Sequence, residues 1–196
     1  MSIVNTLDSV TEWVQENICN GVTLKAPPES DQAPTDEGYE YKRVTPTAFP
    51  LFVPSKDKLP PAVLSSFPSV CVRFMEGEET LKDRSGSIGV QLCFSAWSPG
   101  LHIGDIVGKP GEDAKPFTRN ADGWRDAWNM VDIALRELGS SLTVGGYEID
   151  RTVPIKYGPL TEEGAIIDAY PLWFAWVTFS VIYHPRRYAA DIEKDL

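Results

Sequence analysis

The chain has 196 residues, of which 42% are hydrophobic and 23% are charged, and 28 acidic against 18 basic residues give it a formal net charge of −10. This composition is typical of a folded globular protein and excludes a chain that is disordered throughout. The acidic balance argues against specific nucleic-acid binding, because that function needs a basic surface to meet the phosphates.

The three cysteines, Cys19, Cys71 and Cys93, form no CxxC motif. Cys71 and Cys93 lie in apolar alternating segments, which predicts reduced thiols that act as small hydrophobic residues in a reducing compartment. The amino-terminal MSIVNTLDSVTEW lacks the basic start and apolar centre of a signal peptide. No run of about 18 apolar residues is present. We therefore expect a cytoplasmic protein that does not contact a membrane.

Residues 2–18 are predicted to form a first helix, because their apolar side chains recur at helical spacing and Asn20-Gly21 supplies a stop signal. We expect this helix to dock on a sheet.

The segment 20–67 contains half of the sixteen prolines, a density that is incompatible with a regular helix or a central strand. Its middle part is too apolar for a free linker and predicts an ordered, extended arm. Connections of this length inside a domain are usually functional. The arm packs either on its own subunit or on a neighbour, and both alternatives stay open. The candidate contacts between subunits are Tyr39, Tyr41, Phe49, Leu51 and Phe52.

Two alternating segments after Pro68 predict an antiparallel hairpin with a long polar loop. The first segment is SVCVRFME, with Val70, Val72 and Phe74 on one side, and the second is GSIGVQLCFSAW. Residues 98–120 are rich in glycine and proline and predict a crossover to the next element.

Residues 122–138 have the clearest helical pattern in the chain. Asn120 or Asp122 can cap the helix, and Gly139 is placed to end it in a left-handed conformation. Two tryptophans and two leucines on one stripe need a broad apolar partner, most simply a sheet. The predicted core residues of this helix are Trp124, Trp128, Val131, Leu135 and Leu138.

After the helix, 147–157 predicts a further strand, and 170–184 predicts a strand that is apolar on both alternating sets. Such a strand is either central with cover on both faces, or one face contacts another subunit. Trp173 and Phe179 are therefore further candidates for intersubunit contacts. The element order predicts one α+β domain over 1–196, with a mostly antiparallel or mixed sheet of about four or more strands packed by the two helices.

No catalytic, cofactor-binding or metal-binding motif is recognisable. His102 and His184 end different elements, without a nucleophile motif nearby. His102 and Asp105 suggest two metal ligands, but no third ligand follows at a suitable spacing. The glycines of GDIVGKPGED match neither GxxxxGK(S/T) nor GxGxxG. We therefore expect no enzymatic activity, no cofactor and no metal.

Four parts of the sequence together resemble the tail terminator (tail completion) proteins of long-tailed bacteriophages and prophage tail particles. They are PSVCVRF with SIGVQLCFSAW, the helix GWRDAWNMVDIALREL, the segment YEIDRTVPIKYGPL, and YPLWFAWVTFSVIYH with its aromatic, proline and tryptophan opening. The resemblance covers residues 1–18 and 68–184. The proline-rich segment 20–67 is not part of the family pattern.

The resemblance implies a structural protein that forms a ring, typically a hexamer, on the head-proximal end of the tail tube. Such a ring stops tube polymerisation and presents a surface for head joining. Its partners are further copies of the chain, the tail tube protein and a neck or head-completion protein. Its location is the bacterial cytoplasm during assembly and then the tail of the virion. The alternatives are another tube, neck or head–tail connector component, or a cytoplasmic enzyme or small-ligand binder, which would need a polar pocket.

Overall fold

The computed structural model of the chain describes residues 3–27, 42–63, 65–80, 85–99 and 123–183. These residues form an α+β fold in which two helices pack on a mixed sheet of seven strands. The predicted fold class is therefore confirmed. The helices are α1, Ile3–Asn17, and α2, Trp124–Ser140.

Two 3-10 turns, Cys19–Gly21 and Lys56–Lys58, and eleven strands complete the secondary structure of the described residues. The strands are, in chain order, β1 (Leu24–Lys25), β2 (Arg43–Val44), β3 (Thr47–Pro50), β4 (Ser69–Thr80), β5 (Ser85–Trp97), β6 (Thr143–Val144), β7 (Tyr147–Ile149), β8 (Lys156–Pro159), β9 (Thr161–Glu162), β10 (Ala165–Ile166) and β11 (Leu172–Tyr183).

Three long strands, β4, β5 and β11, form the centre of the main sheet. β5 pairs antiparallel with β4 on one side and with β11 on the other, where the register runs from Trp97 opposite Leu172 to Gly86 opposite Tyr183. The short β3 extends the sheet parallel to β4, while β7 with β6, and separately β8, pair with the far side of β11. The predicted hairpin is longer than expected, because both strands continue into its polar loop.

The core lies between the two helices and one face of the sheet, which we call the closed face. Its strand residues alternate with those of the opposite face, as the two-residue period of a strand requires. Burying a side chain of this size contributes about 1.5–3 kcal/mol. The fully buried members include Val70, Val72, Val90, Leu92, Phe94, Val177 and Val181 from the strands, and Val10, Val14, Met130, Val131 and Ala134 from the helices.

The orientation of α2 differs from the predicted stripe. Val131 and Leu138 are buried, but Trp128 and Leu135 are only partly buried, and Trp124 is 40% exposed and does not belong to the core. The side that faces the sheet is formed by Ala127, Met130, Val131, Ala134 and Leu138. At 100° per residue, this side is rotated by roughly 80° from the row of Trp124, Trp128 and Leu135. The helix has a wider apolar surface than the sheet covers.

Two boundaries also differ from expectation. α2 continues through Gly139 to Ser140, and the Ser141 N–H bonds to the carbonyl of Glu137; Gly139 therefore does not end the helix as a left-handed cap. The expected caps Asn120 and Asp122 lie outside the described residues. The single strand expected over 147–157 is divided into β7 and the start of β8, because a turn stabilised by the Asp150 carboxylate intervenes.

Candidate functional site

The residues predicted for contacts between subunits fall into three groups. Tyr39 and Tyr41 lie outside the described residues. Phe49 is 5% exposed and Phe179 is 3% exposed. Neither phenylalanine can reach a neighbouring subunit without opening this one, so both were wrongly placed at an interface. Phe179 is part of the main core, whereas Phe49 packs beside Cys71 on the other side of the sheet.

Leu51 and Phe52 form an exposed apolar corner where β3 ends. Leu51 is 54% exposed and Phe52 is 66% exposed. The Leu51 N–H donates to the Val72 carbonyl at 2.8 Å, which holds the corner against β4. Leu51 has a φ of 66°, a left-handed conformation that costs a non-glycine residue about 1–2 kcal/mol. Strained backbone and exposed apolar side chains at one place favour a binding role.

Trp173 joins the start of β11 to the end of β5. Its indole N–H donates to the Ser98 carbonyl at 2.7 Å, and its ring meets Tyr170 edge-to-face at 6.2 Å. A Cβ on Gly123 would collide with both the Trp173 indole and Ser98. Glycine is therefore required where α2 begins. Trp173 is half-buried and braces its own subunit, which leaves only part of its ring for a contact outside it.

The second face of the sheet, which we call the half-open face, is only partly covered by the described residues. It presents Phe174, Trp176 and Ile182 of β11, all partly exposed. Small residues of β5 lie opposite them, namely Ser95, Cys93 and Ser87. The Trp176 indole N–H donates to the Pro159 carbonyl at 2.8 Å, which fixes the ring over β8. Thr178 and Ser180 lie on the same face between Trp176 and Ile182. A partly apolar sheet face of this kind is a candidate surface for another protein.

A second partly exposed apolar surface lies beside α2, and we call it the aromatic flank: Trp124, Trp128 and Tyr157. Trp128 meets Tyr157 edge-to-face at 6.4 Å, and the Arg125 guanidinium lies 4.8 Å from the centre of the Trp124 ring. Tyr157 is 53% exposed. Tyr157 was not predicted as a site residue: it was the last residue of the strand expected over 147–157, and that pattern did not indicate a contact with Trp128 of α2.

One edge of the sheet, the outer part of β4, is acidic. Beyond Val72, no strand of the described part of the chain pairs with the outer side of β4. This acidic edge carries Glu76, Glu78 and Glu79, together with Met75, which is 52% exposed. The register shifts between Phe74 and Gly77, as in a β-bulge. Charges and a bulge are the usual protection of a strand edge against indiscriminate pairing.

The titratable groups indicate structural roles. Burial raises the pKa of the Cys19 thiol to about 12 and that of Cys71 to about 11, and it also raises the pKa of Cys93. These thiols are protonated at neutral pH and are poor nucleophiles. Hydrogen bonds from the hydroxyl and N–H of Thr152 lower the pKa of Asp150, which closes the turn after β7.

No group of three or more His, Cys, Asp or Glu side chains that could hold a metal ion occurs among the residues with described positions. His102, Asp105 and His184 lie outside them. Within the same ranges, no helix is both long enough and apolar enough to cross a bilayer.

Comparison of the sequence with models of protein families and with curated proteins finds no match.

Proposed function

We propose that this chain is a non-enzymatic assembly subunit of a phage or prophage tail. In this proposal it is a tail terminator, which forms a ring, typically of six copies, on the head-proximal end of the tail tube. The ring stops polymerisation of the tube and offers its other side to a neck or head-completion protein. The protein would be located in the host cytoplasm during assembly and then in the virion tail.

The observation that carries the proposal is the distribution of exposed apolar surface around one sheet. A ring is built from heterologous contacts, so each subunit needs two different surfaces for its neighbours and further surface for the tube. The Leu51–Phe52 corner lies at the β3 end of the sheet, and the aromatic flank lies at the opposite, β8 end. The half-open face lies between them. Apolar surface at several places suits a subunit with several protein partners.

The segments that resemble tail terminators also correspond to defined elements of this fold. The first part forms the hairpin β4–β5, the second forms α2, the third contains β7 and β8, and the fourth forms β11. Together they make up the closed face and its helix. The resemblance therefore concerns the framework of the domain, while the proposed contacts lie around it.

Tube assembly in the presence of the purified chain tests the proposal. Tail tube protein of the same phage is polymerised with and without the chain, and tube lengths and tube ends are examined by electron microscopy. We expect shorter tubes, each with a ring at one end, and a hexamer mass by light scattering for the released ring. Unchanged tube lengths together with no binding to tubes would overturn the proposal.

A double variant, Leu51→Ser with Phe52→Ser, examines the exposed corner in the same assay. Both side chains are more than half exposed, so the fold should be retained while ring formation or tube binding weakens. Leu142→Ser is the matched control, because Leu142 is 72% exposed at the other end of the sheet, between α2 and β6. Capped tubes in equal number for both variants would exclude the corner from the assembly contacts.

A further inference from the structure

Cys71 and Cys93 are direct partners across the antiparallel strands β4 and β5. Direct partners project from the same face of a sheet and lie next to each other. This face is the half-open one, and Cys93 is partly exposed on it. Both residues are free thiols, and the proposed tail function uses neither of them.

The pattern of backbone hydrogen bonds between β4 and β5 sets the distance between Cys71 and Cys93. The Ser98 N–H donates to the Pro171 carbonyl, so even-numbered residues of β5 direct their backbone groups toward β11. Cys93 therefore directs its backbone groups toward Cys71, and the two form a hydrogen-bonded pair. Such pairs have Cα atoms about 5.5 Å apart and wider side-chain spacing than the alternate, non-hydrogen-bonded pairs.

This spacing is unfavourable for a disulfide, but it suits two sulfurs that are bridged by a metal ion. A disulfide requires Cβ atoms about 3.5–4.5 Å apart and sulfurs about 2.05 Å apart. Directly opposite residues have Cβ atoms up to about 5.5 Å apart, with hydrogen-bonded pairs at the wide end. Two bonds of about 2.3 Å from one metal ion allow its two sulfurs to lie as far as about 4.6 Å apart.

Aromatic and polar side chains surround the pair, together with one nearby cation. Phe49 lies opposite Cys71 on β3, and Trp176 lies opposite Cys93 on β11, so two aromatic residues flank the thiols in one row across the sheet. Burial raises the pKa of the Cys93 thiol, and the positive charge of Arg73 opposes that shift. The Cys93 thiol donates to the Gln91 side-chain carbonyl at 3.5 Å.

We propose that Cys71 and Cys93 form a dithiol site that binds one soft monovalent cation, of the Cu(I) or Ag(I) class, in two-coordinate geometry between their sulfurs. Thiolates select soft cations over hard ones. Two thiolates and one monovalent cation carry a net charge of −1, which the Arg73 guanidinium neutralises. No third ligand is needed for this geometry.

Binding is an exchange of protons for the metal ion. Each thiol loses its proton to the solvent, and each sulfur then donates an electron pair to the cation, so no oxidant or reductant takes part. Burial raises the pKa of both thiols, with that of Cys71 at about 11. The cation must therefore displace both thiol protons, and its binding acidifies the solution.

Titration with Ag⁺ in a chloride-free, thiol-free buffer tests the site on the full chain. Native mass spectrometry gives the stoichiometry, and tryptophan emission reports the position, because Trp176 lies opposite Cys93. We expect one tightly bound Ag⁺ and quenching that Trp176→Phe largely removes. Cys71→Ser and Cys93→Ser should each weaken binding by about 100-fold or more, because one thiol alone loses the chelate effect.

Cys19→Ser is the matched control, since Cys19 is buried in the main core and lies in the 3-10 turn Cys19–Gly21, outside the pairing of β4 with β5. Its affinity for Ag⁺ at the site should equal that of the wild type, whereas Arg73→Gln, which keeps both thiols, should bind several-fold more weakly. Thermal unfolding of each variant verifies the fold. Tight binding that survives Cys71→Ser or Cys93→Ser, or that Cys19→Ser abolishes, would overturn the assignment.

Exposure to glutathione disulfide examines the geometry separately. We expect no internal disulfide between Cys71 and Cys93, because their spacing is too wide. Rapid formation of an internal disulfide, detected as a mass decrease of two hydrogens that requires both cysteines, would contradict the wide spacing. It would also contradict the two-coordinate site. Neither outcome bears on tube capping, so failure of the metal site and failure of the proposed function are distinguishable.

Discussion

The two faces of the central sheet are formed by the same three strands but differ in how completely they are covered. On the closed face, Phe94, Val177 and Val181 are at most 1% exposed beneath the helices. On the half-open face, Phe174, Trp176 and Ile182 remain partly exposed. The sequence of β11 is apolar on both sides, so apolar content alone does not distinguish a core face from a contact face.

α2 likewise has one fully covered side and one partly covered side. Its core side is buried, while the row that carries Trp124 and Trp128 lies beside the edge strand β8 and is incompletely covered. In α2 both tryptophans lie on the less covered side, whereas β11 carries aromatic residues on both faces, with Phe174 and Trp176 on the half-open one. Aromatic residues at partly exposed positions are typical of protein interfaces.

The largest expected effect separates the two faces directly. Phe94→Ala removes a fully buried ring from the closed face and should lower the free energy of unfolding by about 3–5 kcal/mol. Phe174→Ala, on the neighbouring strand and the half-open face, should cost about half of that or less, because its ring is already partly solvated. Chemical denaturation of both variants measures the difference. Equal losses would mean that the two faces are equally closed.

A second prediction concerns how the free energy of unfolding depends on pH through the buried Cys19 thiol. Cys19 has a pKa near 12 in the folded chain and near 9.0 when unfolded. Between these values the unfolded chain has lost this proton and the folded chain keeps it, so stability falls as pH rises, by about 1.4 kcal/mol per pH unit for one thiol. Below pH 9 the Cys19 thiol is protonated in both states, so its full contribution to the free energy of unfolding is present. Cys19→Ala should flatten the decline between pH 9 and 11 in denaturation curves, and an unchanged slope would show that Cys19 is accessible to solvent.

A third prediction concerns the far end of the closed face, where the Tyr183 ring lies over Gly86. A Cβ at Gly86 would lie 2.5 Å from the ring carbon Cζ, so Gly86→Ala should cost about 1–3 kcal/mol through overpacking. Gly139→Ala is the matched control, because nothing lies within 4 Å of its added Cβ. In the helix it should stabilise the protein by about 0.5–1 kcal/mol. Thermal unfolding distinguishes the two signs.

The smallest expected effect concerns the aromatic flank. Trp124→Ala should lower the free energy of unfolding by less than about 1.5 kcal/mol, because the ring is 40% exposed and contacts Arg125 instead of the core. Trp128→Ala should cost more, since Trp128 packs on the core and on Tyr157. A loss of about 3–5 kcal/mol for Trp124→Ala would restore it to the core, as the helical stripe alone suggests.

Much of the framework could be predicted because it depends on local periodicity. The alternating segments after Pro68 and before His184 predicted β4, β5 and β11, and the helical spacing predicted α1 and α2. The candidate contact residues were harder to predict. Phe49 and Phe179 have the same apolar character as Leu51 and Phe52, and only their positions in the fold separate the buried pair from the exposed pair.

Sequence periodicity by itself determined which elements form, since helical and strand propensity arise within a few residues of chain. Only the tertiary structure decided which side of α2 meets the sheet, because a helix with a wide apolar sector can dock at several rotations. It also decided that Cys71 and Cys93 are neighbours. The register of a hairpin depends on pairing between distant segments, and a β-bulge shifts it by one residue.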